Sequence, residues 1–501
     1  MQYLRTGKLA LAVLGVAIAM LLNPLSLQSQ VLYGSLVGII TDQSGAVVPG
    51  ARVTVINSAT NQSRTVDADS TGTYTVSALT PGNYRVRVSQ SGFQDSITND
   101  APVTINSVTR VNVKLQLGQV QEAVSVTADA TPILQTERAE VRSEMTSKAL
   151  TTLPVAQGRN FQSLFRTIPG IALSRPPNNS ASNPSQSYSF NANGASASIN
   201  NTRVDGASST NVWLPHLNLA YVPALESIDT VNIVTNSFDA EQGLAGGAAV
   251  SVQIKSGTNE LHGSAFLYHD NSRLRARNFF LPASQDKAKL VYNQGGGTVG
   301  GPIKKDKLFY FTSFERTTDR QSANLITSVP TAATRSGDLS RFTAAVYDPA
   351  TGNPNGTGRI PFANNRIPDA RQDPIARRLA AMYPLPNLPG TGIGELNNFF
   401  ISGPFAFDRW TLDTKVNYTL TENLNFFSRY SILDFRMDSP TAFGPDVEGP
   451  GLTGSRVGSP GLSFGKTHNI STGVNWVISP ALLMDANYGF VRQGTDRKSV
   501  V

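Results

Sequence analysis

Few residues in this chain have the types and spacing that catalysis needs. Gly295-Gly296-Gly297-Thr298-Val299-Gly300 satisfies GxGxxG, but such glycines cradle a pyrophosphate only where a helix N-terminus follows. Gly301-Pro302 and the charged stretch Lys304–Lys307 follow instead, so small residues along a strand wall are the better reading. The four histidines, His216, His262, His269 and His468, make no HExxH pair or other ligand spacing and read as isolated polar residues. Ser and Asp are plentiful, yet no G-x-S-x-G elbow presents a nucleophile. Cysteine is absent, which excludes disulfides and thiolate metal sites. The expectation is a protein that is not an enzyme and holds no metal or cofactor. Function must then come from what its elements bind.

Those elements are strands. In Thr411–Leu420, Leu412, Val416, Tyr418 and Leu420 share a face with Thr414. Thr411, Asp413, Lys415, Asn417 and Thr419 face the other way, because strand side chains alternate with period two. Leu424–Ile432, His468–Trp476 and Leu482–Phe490 repeat the split. Ile470, Val474 and Trp476 oppose Asn469, Ser471 and Asn475, and Leu482, Met484, Ala486 and Tyr488 oppose Asp485 and Asn487. The minimal turns Thr421-Glu422-Asn423 and Ser479-Pro480 alternate with the long connections Arg320–Phe407 and Met437–Lys466. Short turns at one end and long loops at the other are the pattern of an outer-membrane barrel, apolar face to lipid and polar face to lumen. Strands at Leu261–His269, Tyr292–Gly300 and Leu308–Arg316 bring the expected count to about seven.

The 501 residues allow several domains. Only 15% are charged and 42 are Gly, which favours strands and turns over helix bundles. The net charge of +7 includes Arg5 and Lys8, and no dense basic cluster interleaves with aromatics, so nucleic acid is not an expected partner. Arg5 and Lys8, the apolar run Leu9–Leu22, then Asn23-Pro24 and Ser26–Gln30 read as a secretory signal over residues 1–30, cleaved before about Val31. No later apolar stretch is long enough for a membrane helix, so insertion must be by strands.

Between signal and barrel, Gly34–Leu117 carries strand-like runs at Gly34–Ile40, Ala51–Ile56, Gly72–Val76, Tyr84–Val88 and Val111–Leu115, separated by Gly, Pro and Asn turns. That spacing suggests a sandwich, with Tyr84, Val86 and Val88 inward and Arg85 and Arg87 outward. Phe161, Leu164, Phe165 and Ile168 have helical spacing and stop at Pro169-Gly170. Ala249–Lys255 alternates Val250, Val252 and Ile254 with Ser251, Gln253 and Lys255, as a strand does.

Longer motifs carry a family resemblance. VGIITDQSGAVVPGARVTV (Val37–Val55) and STGTYTVSALTPGNYRVRVSQSGF (Ser70–Phe93) resemble a carboxypeptidase regulatory-like domain. LPVAQGRNFQSLFRTIPGI (Leu153–Ile171), NANGASASINNTRVDGASST (Asn191–Thr210) and ESIDTVNIVTNSFDAEQGLAGGAAVSVQIKSGTN (Glu226–Asn259) resemble the plug of TonB-dependent receptors. HGSAFLYHDNSRLRARNFF (His262–Phe280) and YNQGGGTVGGPIKKDKLFYFTSFERT (Tyr292–Thr317) resemble the Oar-like members of that family.

The resemblance covers nearly all of the mature chain and implies an all-β dominated fold. A signal (1–30) precedes a transthyretin-like β-sandwich without catalysis (31–118) and a linker (119–130). An α+β plug domain (131–258) and an incomplete antiparallel transmembrane β-barrel (259–501) follow. Such receptors have about 22 strands, and the chain lacks a terminal aromatic after Arg497, so a truncated product that does not close a channel alone is expected.

The resemblance also implies partners. In the family a short extended stretch before the plug pairs with a strand of the periplasmic TonB protein. Glu122, Ala123, Val124, Ser125, Val126 and Thr127 occupy that place, and an ordinary interdomain linker is the alternative reading. The expected setting is the outer membrane of a Gram-negative bacterium, with lipid around the barrel and TonB, driven by its inner-membrane motor, below it. The long segment Arg320–Phe407 is the expected ligand loop. A ferric chelate, an oligosaccharide or a peptide would suit as ligand. Two rival classes are a surface adhesin or glycan-binding protein that uses the sandwich and outer loops, and a secreted enzyme.

Overall fold

The computed structural model describes residues 33–105, 107–118, 123–127, 140–175, 181–212, 219–237, 243, 245–279, 281, 286–444, 447, 461–479 and 482–498. The signal segment, Glu122 and His216 lie outside them. Strands dominate, and they form three bodies.

The N-terminal body is a sandwich of two sheets. One has the order β4 (Thr73–Leu79), β1 (Gly34–Thr41), β7 (Val108–Arg110), with β8 (Val113–Lys114) also on β1. The other runs β3 (Ser63–Asp67), β2 (Arg52–Asn57), β5 (Gly82–Ser89), β6 (Asp95–Val103), β9 (Ala123–Thr127). The core between them takes Leu36, Ile40, Val53, Val55, Tyr74, Val86 and Val88. Along β5, Tyr84, Val86 and Val88 point inward and Arg85 and Arg87 outward, as the alternation requires. Three strands escape sequence reading. Ser63–Asp67 and Asp95–Val103 are too polar to show an apolar period, and Val108–Arg110 is too short.

The second body, called here the inner domain, has the sheet order β10 (Val141–Thr146), β15 (Ile228–Asn236), β16 (Ala249–Ile254), β13 (Asn201–Val204), β14 (Ala207–Ser208). A two-stranded sheet of β11 (Ile171–Arg175) and β12 (Ser189–Ala192) stands beside it. Phe161, Leu164, Phe165 and Ile168 all enter its core, but the expected α-helix is a 3-10 helix, Phe161–Thr167. The Asn160 side chain caps its start by accepting from the Gln162 N–H, and Pro169 allows no further turn. Every residue of β16 is buried. Its apolar face meets the inner-domain core, and a barrel residue, Phe311, joins the same cluster.

The third body is one antiparallel sheet of seven strands in chain order: β17 (His262–Asn271), β18 (Leu290–Lys304), β19 (Leu308–Thr327), β20 (Phe399–Thr421), β21 (Leu424–Ser439), β22 (Gly461–Ser479) and β23 (Leu482–Lys498). The strands fall where alternation placed them, but β19 to β23 run well past the expected ends, toward the long connections. The β19–β20 ladder is continuous from Leu308↔Tyr418 to Thr327↔Phe399. The long connections therefore shrink to 328–398 and 440–460. Alternation underestimates these strands because inward positions near the long loops are apolar. Phe405, Phe407, Leu433, Phe435 and Met437 pack there with Ala181 and Tyr221 of the inner domain. GxGxxG lies wholly inside β18.

The connection 328–398 has its own order. Asn398 receives the Val329 N–H at 2.8 Å and donates to the Val329 carbonyl at 2.9 Å, and Asp373 caps the helix Pro374–Met382.

One close approach in the sandwich gives a stability test. A Cβ on Gly38 would lie 1.9 Å from the Val111 carbonyl oxygen and 2.7 Å from the Tyr74 ring. Gly38→Val is expected to destabilise the sandwich by about 2–3 kcal/mol. Limited proteolysis of the intact protein, cutting within 34–118 before the barrel, reads the loss.

Candidate functional site

The two faces of β20 differ as a wall between lipid and lumen must. Tyr418 and Leu420 are exposed on one side, while Thr411, Asp413 and Lys415 are buried on the other, where the inner domain lies. Trp476, Leu482, Met484 and Tyr488 extend the exposed apolar surface onto β22 and β23. Inward side chains change character along the wall. Phe405 and Phe407 lie toward the long loops, Arg409 to Lys415 at mid-height, and Asn417 and Thr419 toward the short turns.

The mid-height layer holds the chemistry. Asp205 and Gly206 form the two-residue turn between β13 and β14, with φ of 43° and 81°. Positive φ at both positions is the type I′ hairpin that Asp-Gly favours. The turn delivers the Asp205 carboxylate to the wall, where Lys415 Nζ is 3.0 Å from Oδ1 and Arg429 Nε is 3.0 Å from Oδ2. Each wall cation also holds inner-domain backbone. Lys415 donates to the Ile254 carbonyl at 2.9 Å, and Arg429 Nη2 to the Val204 carbonyl at 3.0 Å and Asn469 Oδ1 at 2.9 Å. Arg429 Nη1 donates to Ser431 Oγ, and Ser471 Oγ to the Asp205 carbonyl.

A second carboxylate balances the charge. Asp413 Oδ1 accepts the Tyr221 hydroxyl at 2.7 Å and Ser431 Oγ at 2.5 Å. Two acids and two bases thus lie buried across one interface, with Arg429 wholly inaccessible. Burial, with the Asp413 charge beside it, pushes the Tyr221 hydroxyl well above the ordinary tyrosine range, so it stays a donor. Closer to the loops, Arg409 pairs with Glu315 at 3.4 Å and donates to the Ser185 carbonyl at 3.3 Å. Arg159 pairs with Glu226 at 2.8 Å and sits 4.0 Å above the Tyr268 ring.

This arrangement seats one domain against another. Buried ion pairs cost nearly as much in desolvation as they return in attraction, so they fix orientation more than they add stability. Of these groups, alternation marked Asp413 and Lys415 as lumen-facing. Asp205, Tyr221 and Arg429 were not legible as partners. The Asp-Gly dipeptide between Val204 and Ala207 was the available signal for the turn.

The sequence candidates have definite places. Ala123–Thr127 is β9, the edge strand of the sandwich sheet, parallel to β6 from Asp95↔Ala123 to Asn99↔Thr127. The histidines are dispersed: His269 Nδ1 meets Asn293 Oδ1 at 2.7 Å, His468 Nδ1 meets the Tyr430 hydroxyl at 2.8 Å, and His262 lies by the Glu260 carbonyl at 3.0 Å. Among the described residues no group of three His, Cys, Asp or Glu side chains could hold a metal ion.

Residues 35–116 match the carboxypeptidase regulatory-like domain family, and residues 253–500 match the outer membrane beta barrel domain family. With the seven-stranded wall, these define an outer-membrane β-barrel protein with an N-terminal regulatory-like sandwich. The TonB-dependent transporter Oar of Myxococcus xanthus is 28% identical over 307 residues, covering 56% of this chain and 27% of that protein. The chain is thus similar to Oar and shares with outer-membrane proteins a beta barrel domain, and its setting is the outer membrane of a Gram-negative bacterium. It spans little more than a quarter of that relative's length.

Solved structures with similarity include the Escherichia coli outer membrane transporter YddB, with a TM-score of 0.44, 11% identity, and coverage of 71% of this chain and 39% of that one. A mutant ferric enterobactin receptor from Pseudomonas aeruginosa, in complex with enterobactin, gives a TM-score of 0.38 at 12% identity, over 72% of this chain and 42% of that one.

Two outcomes follow from the seat. Asp205→Ala strands Lys415 and Arg429 without their carboxylate and is expected to cost the seated state about 3–5 kcal/mol. Faster amide exchange in Asn201–Val204, with the barrel ladder unaffected, would report it. Asp229, partly buried beside the seat, has its carboxyl pushed above the usual range by burial, with Lys415 and Lys255 opposing and Asp205 and Glu144 adding. A folded pKa above the unfolded one means that ionised Asp229 penalises the folded state, and the penalty vanishes once pH falls below the unfolded pKa. Asp229→Asn is expected to raise stability at pH above the folded value and to lose that gain below the ordinary Asp value of 3.8, as denaturation across pH would show.

Proposed function

We propose that this chain serves as a gated importer and not as an enzyme. An extracellular ligand binds at the outer loops, and TonB acts from the periplasm to unseat the inner domain, the plug, from the barrel wall. The observation that carries this reading is the Asp205–Lys415–Arg429–Asp413 cluster with Tyr221. A domain meant to stay inside the wall permanently would be better held by apolar contacts, whereas a balanced buried cluster gives one orientation at modest net stability. Gating of this kind needs two states with different contacts and no covalent step.

In this reading Glu122, Ala123, Val124, Ser125, Val126 and Thr127 are the segment TonB engages by strand pairing. The strand at Ala123–Thr127 supports it, since that backbone already adopts the extended conformation the pairing requires. The loop 328–398 is the ligand-capturing element, for a ferric chelate, an oligosaccharide or a peptide, and its ordered core around Asn398 supplies a fixed surface for recognition.

Removing Gln121–Ala128 from the full-length protein is expected to abolish energised accumulation of ligand while leaving surface binding intact. Accumulation at the parental rate would remove the assignment. Deleting the 340–380 portion of the outer loop is expected to lose binding itself; equilibrium binding that survives the deletion would contradict the loop's role.

A further inference from the structure

The sandwich does not hang free below the barrel; it sits on the short-turn end of the wall. Asn61 Nδ2 donates to Asp306 Oδ1 at 3.1 Å, in the turn between β18 and β19. Gln62 Nε2 donates to Thr419 Oγ1 at the end of β20, and Arg64 Nε reaches the Glu422 carbonyl in the next turn at 3.4 Å. The Asn259 N–H, where the plug passes into the barrel, donates to the Ala59 carbonyl at 3.0 Å. Tyr33 and Ala78 of the sandwich pack with Phe427 and Val477 of the wall. The plug is held as well: Asn232 Nδ2 donates to the Ile105 carbonyl at 3.2 Å, and Arg142 Nη2 to Thr104 Oγ1 at 2.9 Å.

Between the three bodies lies a cavity of about 460 Å³. Tyr33, Asn57 and Thr60 of the sandwich line it on one side, and Asp229, Lys255 and Lys415 on the other. Its volume is that of a small-molecule site. Two of its lining residues, Thr60 and Asn417, carry a buried side-chain oxygen, Oγ1 and Oδ1, without a hydrogen-bond partner.

We propose that the N-terminal sandwich is the periplasmic cap of the permeation path, closing this chamber beneath the seated plug, so that cargo leaves only when the sandwich lifts from the barrel turns. The proposal rests on the import reading above. The cap's contacts are mostly single hydrogen bonds between side chains and turns, each modest in net strength, so it can part from the wall without unfolding. Its release is coupled to the same pull. Because β9 is laddered to β6 inside the sandwich sheet, force applied to that strand reaches the sandwich directly.

The 501 residues hold no cysteine, so an introduced thiol is unique among them. In the purified full-length protein, Ser256→Cys in the chamber is expected to react slowly with a polar maleimide. Adding Asn61→Ala, Gln62→Ala and Arg64→Ala should speed labelling roughly tenfold, as local opening becomes easier. Equal rates with and without the cap contacts would overturn the proposal. Separately, the pair Asn61→Cys and Asp306→Cys should form a disulfide that blocks ligand accumulation until reductant is added. Full accumulation with the cross-link complete would also overturn it. If the parent accumulates no ligand at all, the import reading fails instead, and the labelling rates judge the cap alone. The same rates decide if the cross-linked pair does not reach the membrane.

Discussion

In a bilayer every backbone N–H and C=O must find a partner within the protein, and the rest of this structure follows from that constraint. A sheet that meets it exposes two faces of opposite character, because strand side chains alternate. One face of the seven-stranded wall carries Tyr418, Leu420, Trp476 and Met484 outward, at no cost in hydrocarbon. The other is left with Asp413, Lys415 and Arg429, which need partners. The inner domain supplies them. The wall thus defines where a second domain must sit and what chemistry its contact surface must have.

Along the wall's inner face the contact changes in kind. Toward the long loops it is apolar, with Phe405, Phe407 and Phe435 around Tyr221. At mid-height it is ionic and balanced, and toward the short turns it gives way to the cavity and the sandwich. Apolar packing supplies adhesion without much direction, while the ion cluster supplies direction at little net stability. That division seats the inner domain in one orientation.

The sandwich extends the same logic to the backbone. Its second sheet would end on β6 with an unpaired row of amide groups, a hazard that proteins cover. Here the segment Ala123–Thr127 covers it as β9, in parallel. A stretch that reads as a linker is, by hydrogen bonding, part of a folded sheet, and so mechanically part of the sandwich.

The sequence by itself determined the wall and the sandwich core, because these rest on patterns read over ten residues or fewer. Alternation placed all seven barrel strands, put Asp413 and Lys415 on the lumen side, and turned Tyr84, Val86 and Val88 inward. It failed where a partner lies far along the chain. Lys415 meets Asp205 across 210 positions and Arg429 meets the Val204 carbonyl across 225. Strand ends near the long loops were missed because their inward face is apolar too, packed against the inner domain. The same holds for β9, whose extended shape is local but whose pairing with β6 is not. Period and turn chemistry are properties of neighbouring residues, whereas charge pairing, burial and edge pairing exist only once the bodies are assembled, and that was left to the tertiary structure.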